Sequence, residues 1–213
     1  MTLPFSLLFK GFKGFCVFAI SAIFLSQCTT NSPVVIDHDS KIVVSVKDQT
    51  LVLTKNGAPV KSYKISTSKF GLGSSRGSNR TPLGHLGIAK KIGDGKPSGT
   101  VFKSRKPTGE IIKPNTPGRD PIVSRILWLY GKESHNRNTY RRCVYIHGTP
   151  EECRLGSPCS YGCIRMSSKD VIDLYNRVGV GADVQIIRGS LPTTSTNQTK
   201  AMANVANGKK DGS

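Results

Sequence analysis

A mainly β domain with one principal α-helix is the fold class the sequence predicts. Three observations predict it. Short bursts of alternating apolar residues recur between Lys41 and Arg188. Stretches rich in Gly, Ser and Pro separate them. One segment, just after Cys163, switches to a helical period.

The elements follow in order. Ile42, Val44 and Val46 alternate with Val43, Ser45 and Lys47, which puts one apolar row on one face of a strand. Leu51 and Leu53, then Val60, Tyr63 and Ile65, continue the pattern. Lys47-Asp48-Gln49 and Lys55-Asn56-Gly57 supply the turns, and the Asn-Gly pair suits a two-residue hairpin. An antiparallel meander results. Residues 66–81, STSKFGLGSSRGSNRT, read as a long loop; their glycines lack the spacing and the following helix of a phosphate cradle. His85–Ile88 and Ile126–Leu129 are further strands, and the Gly/Pro/Lys-rich residues 91–121 between them read as loop. RCVYIHG, residues 142–148, is a strand that puts Cys143, Tyr145 and His147 on one face and Val144 and Ile146 on the other. Ser167-Ser168-Lys169-Asp170 is a capping box with Ser167 as N-cap. Val171, Ile172, Leu174, Tyr175 and Val178 then form a helical stripe that Gly179 ends. Ala182–Ile187 is a last strand.

The ends read differently. Residues 1–27 hold only two charges, Lys10 and Lys13, and an apolar run from Phe15 to Leu25 too short for a membrane span, so they predict an export signal. LSQC, residues 25–28, resembles a bacterial lipobox with Gln27 in the place of the usual small residue, which makes Cys28 a lipidation candidate. Residues 28–40 are a tether, 41–188 the domain, and 189–213, poor in apolar residues, a disordered tail. The 213 residues carry a formal charge of +18. Without Lys10 and Lys13 the balance is 29 basic to 13 acidic residues, or +16. That favours a polyanionic partner. Export removes nucleic acid from ordinary reach and leaves anionic lipid or wall polymer.

The chemistry concentrates in residues 146–166, IHGTPEECRLGSPCSYGCIRM. A cysteine nucleophile needs a base, a cradle for the oxyanion and room for substrate. Gly162 permits a turn that aims the N–H groups of Tyr161, Gly162 and Cys163 into one pocket, and Arg165 adds positive charge that favours the thiolate. His147, at a strand end, is the candidate base, and a neighbouring carbonyl such as that of Gly148 can orient it. Other readings stay open. Cys153 and Cys159 bracket CRLGSPC and can close a disulfide that leaves Cys163 free; the rival pair Cys159–Cys163 abolishes the mechanism. Cys143, His147, Cys153 and Cys159 have zinc-ligand side chains but lack the C-x2-C knuckle of strong zinc motifs. His38, His85 and His135 read as surface or packing residues.

HGTPEECRLGSPCSYGCIRM is similar to the signature of the YkuD family of L,D-transpeptidases, and the likeness extends to ISTSKFG, TPLGHLGI and the opening hairpin, over roughly residues 41–188. The resemblance implies a β-sandwich or barrel-like catalytic fold and an exported cysteine acyltransferase acting on peptidoglycan stem peptides with no cofactor or metal. It implies Cys163 as nucleophile, His147 as proton donor and acceptor, Gly148 as the residue whose carbonyl orients His147, and the turn Tyr161–Cys163 as oxyanion hole, with Ser160 and Arg165 beside it. The family usually has histidine where this chain has Tyr161. The expected products are L,D crosslinks or a lipoprotein attached through its lysine, in the periplasm or cell envelope, with a lipid anchor holding the protein to the membrane. Alternatives are an L,D-carboxypeptidase or hydrolase that gives the acyl group to water, and a non-catalytic basic wall-binding module.

Overall fold

The computed structural model describes residues 36–192. The expected export signal, Cys28, most of the tether and residues 193–213 of the expected tail lie outside the described residues.

Among the described residues, ten strands and one α-helix form the fold. The strands are β1 Ser40–Ser45, β2 Thr50–Lys55, β3 Ala58–Ser66, β4 Gly84–Ile92, β5 Thr100–Lys103, β6 Lys106–Ile111, β7 Ile122–Gly131, β8 Tyr145–Gly148, β9 Ile164–Met166 and β10 Asp183–Ile187. The helix, α1, is Ser168–Arg177. The first three strands form the expected meander, and Asn56 and Gly57 both take positive φ, as a hairpin turn of this type requires. The sheet runs β4-β10-β1-β2-β3-β9-β8-β7, and β4 also pairs with β7. Eight strands therefore close on themselves, barrel-like, which removes the free edges of that ring. β5 and β6 branch from β7 as a hairpin.

Alternation along β7 and β8 gives the sheet two apolar faces. Leu127, Leu129, Val144 and Ile146 join the main core, where Val171, Leu174 and Tyr175 of α1 also sit. Ile126 and Tyr145 face the other way, into a smaller cluster with Phe102, against which Trp128, Cys143 and Cys163 pack. α1 starts as expected: the Ser167 hydroxyl accepts the Asp170 N–H at 3.0 Å, a cap worth about 1 kcal/mol. It ends earlier than expected. Val178 is already extended, and the Gly179 N–H is taken by Asp37 Oδ2 at 2.6 Å, so Gly179 is a docking point and not a left-handed cap. The start of the expected tail is also held: Ser45 Oγ donates to the Gly189 carbonyl at 2.7 Å, and the Leu191 N–H to Asp48 Oδ2 at 2.7 Å.

Residues 91–121 are not a plain loop. β5 and β6 lie there, joined by Ser104 and Arg105, both with positive φ. Neither residue type signals such a turn, and every residue of β6 is exposed, so no apolar alternation marks it.

Candidate active site

β8 and β9 are parallel neighbours, with Ile146 opposite Ile164 and His147 opposite Arg165. Parallel strands cannot be joined by a tight hairpin. The chain between them makes a short 3-10 turn, Glu152–Arg154, and returns through the cysteine turn. This register carries Cys163, one residue before β9, alongside Tyr145. The Tyr145 N–H donates to Cys163 Sγ at 3.4 Å, and the thiol donates to the Cys143 carbonyl at 3.5 Å.

The turn is held from several sides. Gly162 has φ of 116°, in the region that favours glycine, and a Cβ there would meet the Arg80 carbonyl at 3.3 Å. The Ser160 hydroxyl donates to the Cys163 carbonyl at 2.6 Å and accepts the Gly162 N–H at 3.2 Å. The Thr81 hydroxyl donates to the Gly162 carbonyl at 3.1 Å and accepts the Ser68 N–H at 3.0 Å. Ser68 Oγ in turn donates to the Asn79 carbonyl. The segments ISTSKFG and TPLGHLGI thus meet at the cysteine turn, which gives a physical reason for their occurring together with it. Ser160 braces the turn from within and does not line the cavity beside it. The Gly162 N–H is committed to Ser160, while the Tyr161 and Cys163 N–H groups have no protein acceptor among the described residues.

His147 is buried, at 6% exposure, and its Nδ1 lies 2.8 Å from the Gly148 carbonyl. A carbonyl only accepts, so Nδ1 carries the proton and Nε2 keeps its lone pair. Burial pushes the imidazole below the ordinary histidine value; the Gly148 carbonyl and the Asp120 carboxylate oppose that shift, and the Arg165 charge adds to it. Gly148 itself has no room for a side chain, since a Cβ would meet the Val123 carbonyl at 2.6 Å. No hydrogen bond joins the imidazole and the thiol among the described residues. Burial dominates at Cys163 too and pushes the thiol up to about 11, against the Tyr145 N–H and the Arg142 and Arg165 charges. At neutral pH both groups rest uncharged, so the expected favouring of the thiolate by Arg165 is outweighed by desolvation.

Arg165 has a different place from the one expected. It is 2% exposed and ion-paired, Nη1 to Asp120 Oδ2 at 2.7 Å and Nη2 to Glu151 Oε2 at 2.8 Å, and Nη1 also donates to the Cys159 carbonyl at 3.2 Å. It clamps the segments carrying Asp120 and Glu151 to the cysteine turn; it does not line the cavity. The Thr149 hydroxyl also donates to Asp120. The expected Cys153–Cys159 disulfide is not formed. Cys159 is buried with its thiol directed to the Arg154 carbonyl at 3.6 Å, whereas Cys153 is exposed on the 3-10 turn. Cys143 and Cys163 are free thiols as well. Among the described residues no three His, Cys, Asp or Glu side chains gather as a metal site.

A cavity of about 490 Å³ opens on the thiol, lined by Cys163, Gly162, Tyr161, Cys143, Asn79 and Arg142 among others. Tyr161 stands at its rim, 63% exposed, its hydroxyl accepting from Lys69 Nζ at 3.0 Å and its ring centroid 5.5 Å from that of Phe70. Arg142 crosses the wall and donates to the carbonyls of Arg80 at 2.7 Å and Gly73 at 3.3 Å. Asp120, Glu151, Thr81 and Arg142 were not legible as site residues. Their roles depend on contacts that only the fold makes: Glu151 and Asp120 meet Arg165, and Thr81 and Arg142 meet the loop and turn beside Cys163.

A closed β ring with a cysteine turn and a carbonyl-bound histidine on adjacent parallel strands defines a candidate cysteine acyltransferase. The family model of the L,D-transpeptidase catalytic domain, YkuD, matches residues 39–186. The chain belongs to that family. It is similar to the Bacillus subtilis (strain 168) protein YkuD, which bears an L,D-transpeptidase name, with 29% identity over 147 residues, 69% of this chain and 65% of that relative. Solved L,D-transpeptidases of Mycobacterium smegmatis and Mycobacterium tuberculosis are each 18% identical, with TM-scores of 0.47 and 0.45, covering 70% of this chain and 58% of theirs. The chain therefore spans less than two thirds of the length of these relatives.

Proposed function

We propose that the protein is an exported L,D-transpeptidase that forms peptidoglycan crosslinks through a thioester on Cys163. The observation that carries this reading is His147, its Nδ1 held at the Gly148 carbonyl, on the strand parallel to the one that Cys163 leads into, in a chain of this family. His147 Nε2 takes the thiol proton. Sγ attacks the carbonyl of the third stem residue, by family resemblance the L-centre of a diaminopimelate. The oxyanion forms against the Tyr161 and Cys163 N–H groups, which no acceptor among the described residues claims. The imidazolium passes its proton to the amine of the departing fourth residue, D-Ala, as the amide breaks. An acceptor amine, from another stem side chain or a lipoprotein lysine, then attacks the thioester, loses its proton through His147 and regenerates the thiol. A neutral resting pair suits this sequence, because the proton moves only as the attack begins. Residues 1–27 direct export to the periplasm or cell envelope, and Cys28 carries the lipid anchor.

The test is the mass of the products from a purified disaccharide-tetrapeptide. A dimer lighter by one D-Ala, absent with Cys163→Ala, is the expected result. Tripeptide alone makes the protein an L,D-carboxypeptidase, and turnover by Cys163→Ala overturns the reading.

A further inference from the structure

None of the arginines that pair with a carboxylate lines the cavity at Cys163. Arg119, Arg154, Arg165 and Arg177 each pair with a carboxylate of the chain. Arg76, Arg141 and Arg142, which line the cavity at Cys163, pair with none among the described residues, and no Asp or Glu lines that cavity. Arg142 is spoken for by uncharged oxygens: the carbonyls of Gly73 and Arg80 and the Ser78 hydroxyl at 3.4 Å. Those contacts fix its guanidinium but leave its charge uncompensated. Arg76 and Arg141 are exposed at the same wall. Three arginines thus line one cavity beside the thiol, with no carboxylate counter-charge among the described residues that line it.

We infer that Arg76, Arg141 and Arg142 form a carboxylate-binding subsite that selects acyl donors bearing a free carboxylate on the third or fourth stem residue. The inference rests on the peptide acyl-transfer reading above. Guanidinium groups suit carboxylates because their paired N–H donors match the two oxygens. A cavity partly shielded from water strengthens such a pair over one on the open surface. Mutual repulsion of the three charges also disfavours the empty site and is relieved when an anion enters. Two carboxylates of a tetrapeptide stem can reach such a place: the side-chain carboxylate of the third residue and the terminal carboxylate of the fourth. If the terminal one binds, it leaves with the fourth residue, and the vacated subsite discharges the product. If the side-chain one binds, it stays through the thioester stage and holds the acyl group for the acceptor.

Calorimetric titration separates these cases without turnover. The full chain carrying Cys163→Ala is titrated with the tetrapeptide, with its form amidated at the third-residue side chain, and with its form amidated at the terminus. One amidation is expected to weaken binding about tenfold, and Arg141→Gln or Arg76→Gln to weaken the free-acid peptide by a similar factor while changing little for that amide. Lys55→Gln removes the same charge from the exposed end of β2, which does not line this cavity, and is expected to leave binding unchanged. Equal binding of all three peptides overturns the inference, as does an equal loss from Lys55→Gln, which makes the effect one of net charge. Absence of any tetrapeptide binding overturns it too. Should the tetrapeptide bind with the expected selectivity while the unsubstituted chain leaves it intact, the subsite stands and the acyl-transfer reading falls.

Discussion

Cys163 and His147 rest as a neutral thiol and a neutral imidazole, each kept so by burial. Two consequences belong to this scale. Alkylation of Cys163 by iodoacetamide follows the thiolate, so its rate is expected to climb from neutrality towards the thiol value of about 11; a plateau near pH 7 contradicts burial as the dominant influence. For kcat/KM the acid limb reports protonation of His147 in the free enzyme. Its value is lowered, so activity is expected to persist below about pH 6.5, the ordinary histidine value, and to fall only as pH drops through the lowered one. A limb above that pH refutes the assignment of base or environment. His147→Gln is expected to lower kcat by about 10²–10⁴-fold with little change in KM, measured with the tetrapeptide donor.

At the scale of elements, α1 is tied to β3 by Asp173. Its Oδ2 accepts from the Tyr63 hydroxyl at 2.7 Å, Arg177 Nε at 2.9 Å and Lys61 Nζ at 3.0 Å, and these partners hold its carboxyl well below the usual range. Because the folded value is the lower one, the stabilisation is present above the unfolded value of about 3.9 and is lost as pH falls through the folded one. Asp173→Ala is expected to cost about 1–2 kcal/mol at neutral pH, discounted for its partly exposed partners, and to flatten the acid limb of the stability curve. Urea unfolding at pH 7 and pH 3 checks both, and an equal deficit at the two values contradicts the ion-pair account.

Legibility also sorts by element. The meander, the helix with its Ser167 cap and the strand leading to His147 were readable, because local pattern and turn chemistry agree there. The β5–β6 hairpin was not, since its turn uses Ser104 and Arg105 and its outer strand packs against nothing. The strand before His147 starts at Tyr145, later than its apolar pattern suggests, because Cys143 takes a positive φ of 56°. In the candidate site, Cys163, Gly162, His147 and Gly148 lie within one readable stretch. Arg165 was readable as a charge but not as a clamp, because its partners Asp120 and Glu151 reach it only through folding.

For the molecule as a whole, closure is the governing feature. The ring joins its first and last strands, β1 and β10, as parallel neighbours, and β4 completes it by pairing on both sides. The site gathers Ser68, Thr81, Asp120, His147 and Cys163 around the adjacent strands β8 and β9, so it exists only when the ring is closed. Unfolding of the ring is therefore expected to be a single cooperative transition. Fluorescence of the sole tryptophan, Trp128 on β7, stacked on Tyr140 with centroids 4.1 Å apart, reports one side of it. Its urea midpoint is expected to coincide with that of far-ultraviolet circular dichroism; separate midpoints indicate that the ring opens in parts.

The central claim is that Cys163 carries the acyl group. The most direct measurement is the mass of the full chain, acid-quenched during incubation with tetrapeptide and without an acceptor amine, followed by peptide mapping. The account predicts an added tripeptide acyl group, one D-Ala lighter than the donor, on the peptide containing Cys163 and released by hydroxylamine. Product formation with an adduct on another residue, or with the Cys163 thiol shown never to be acylated, contradicts it.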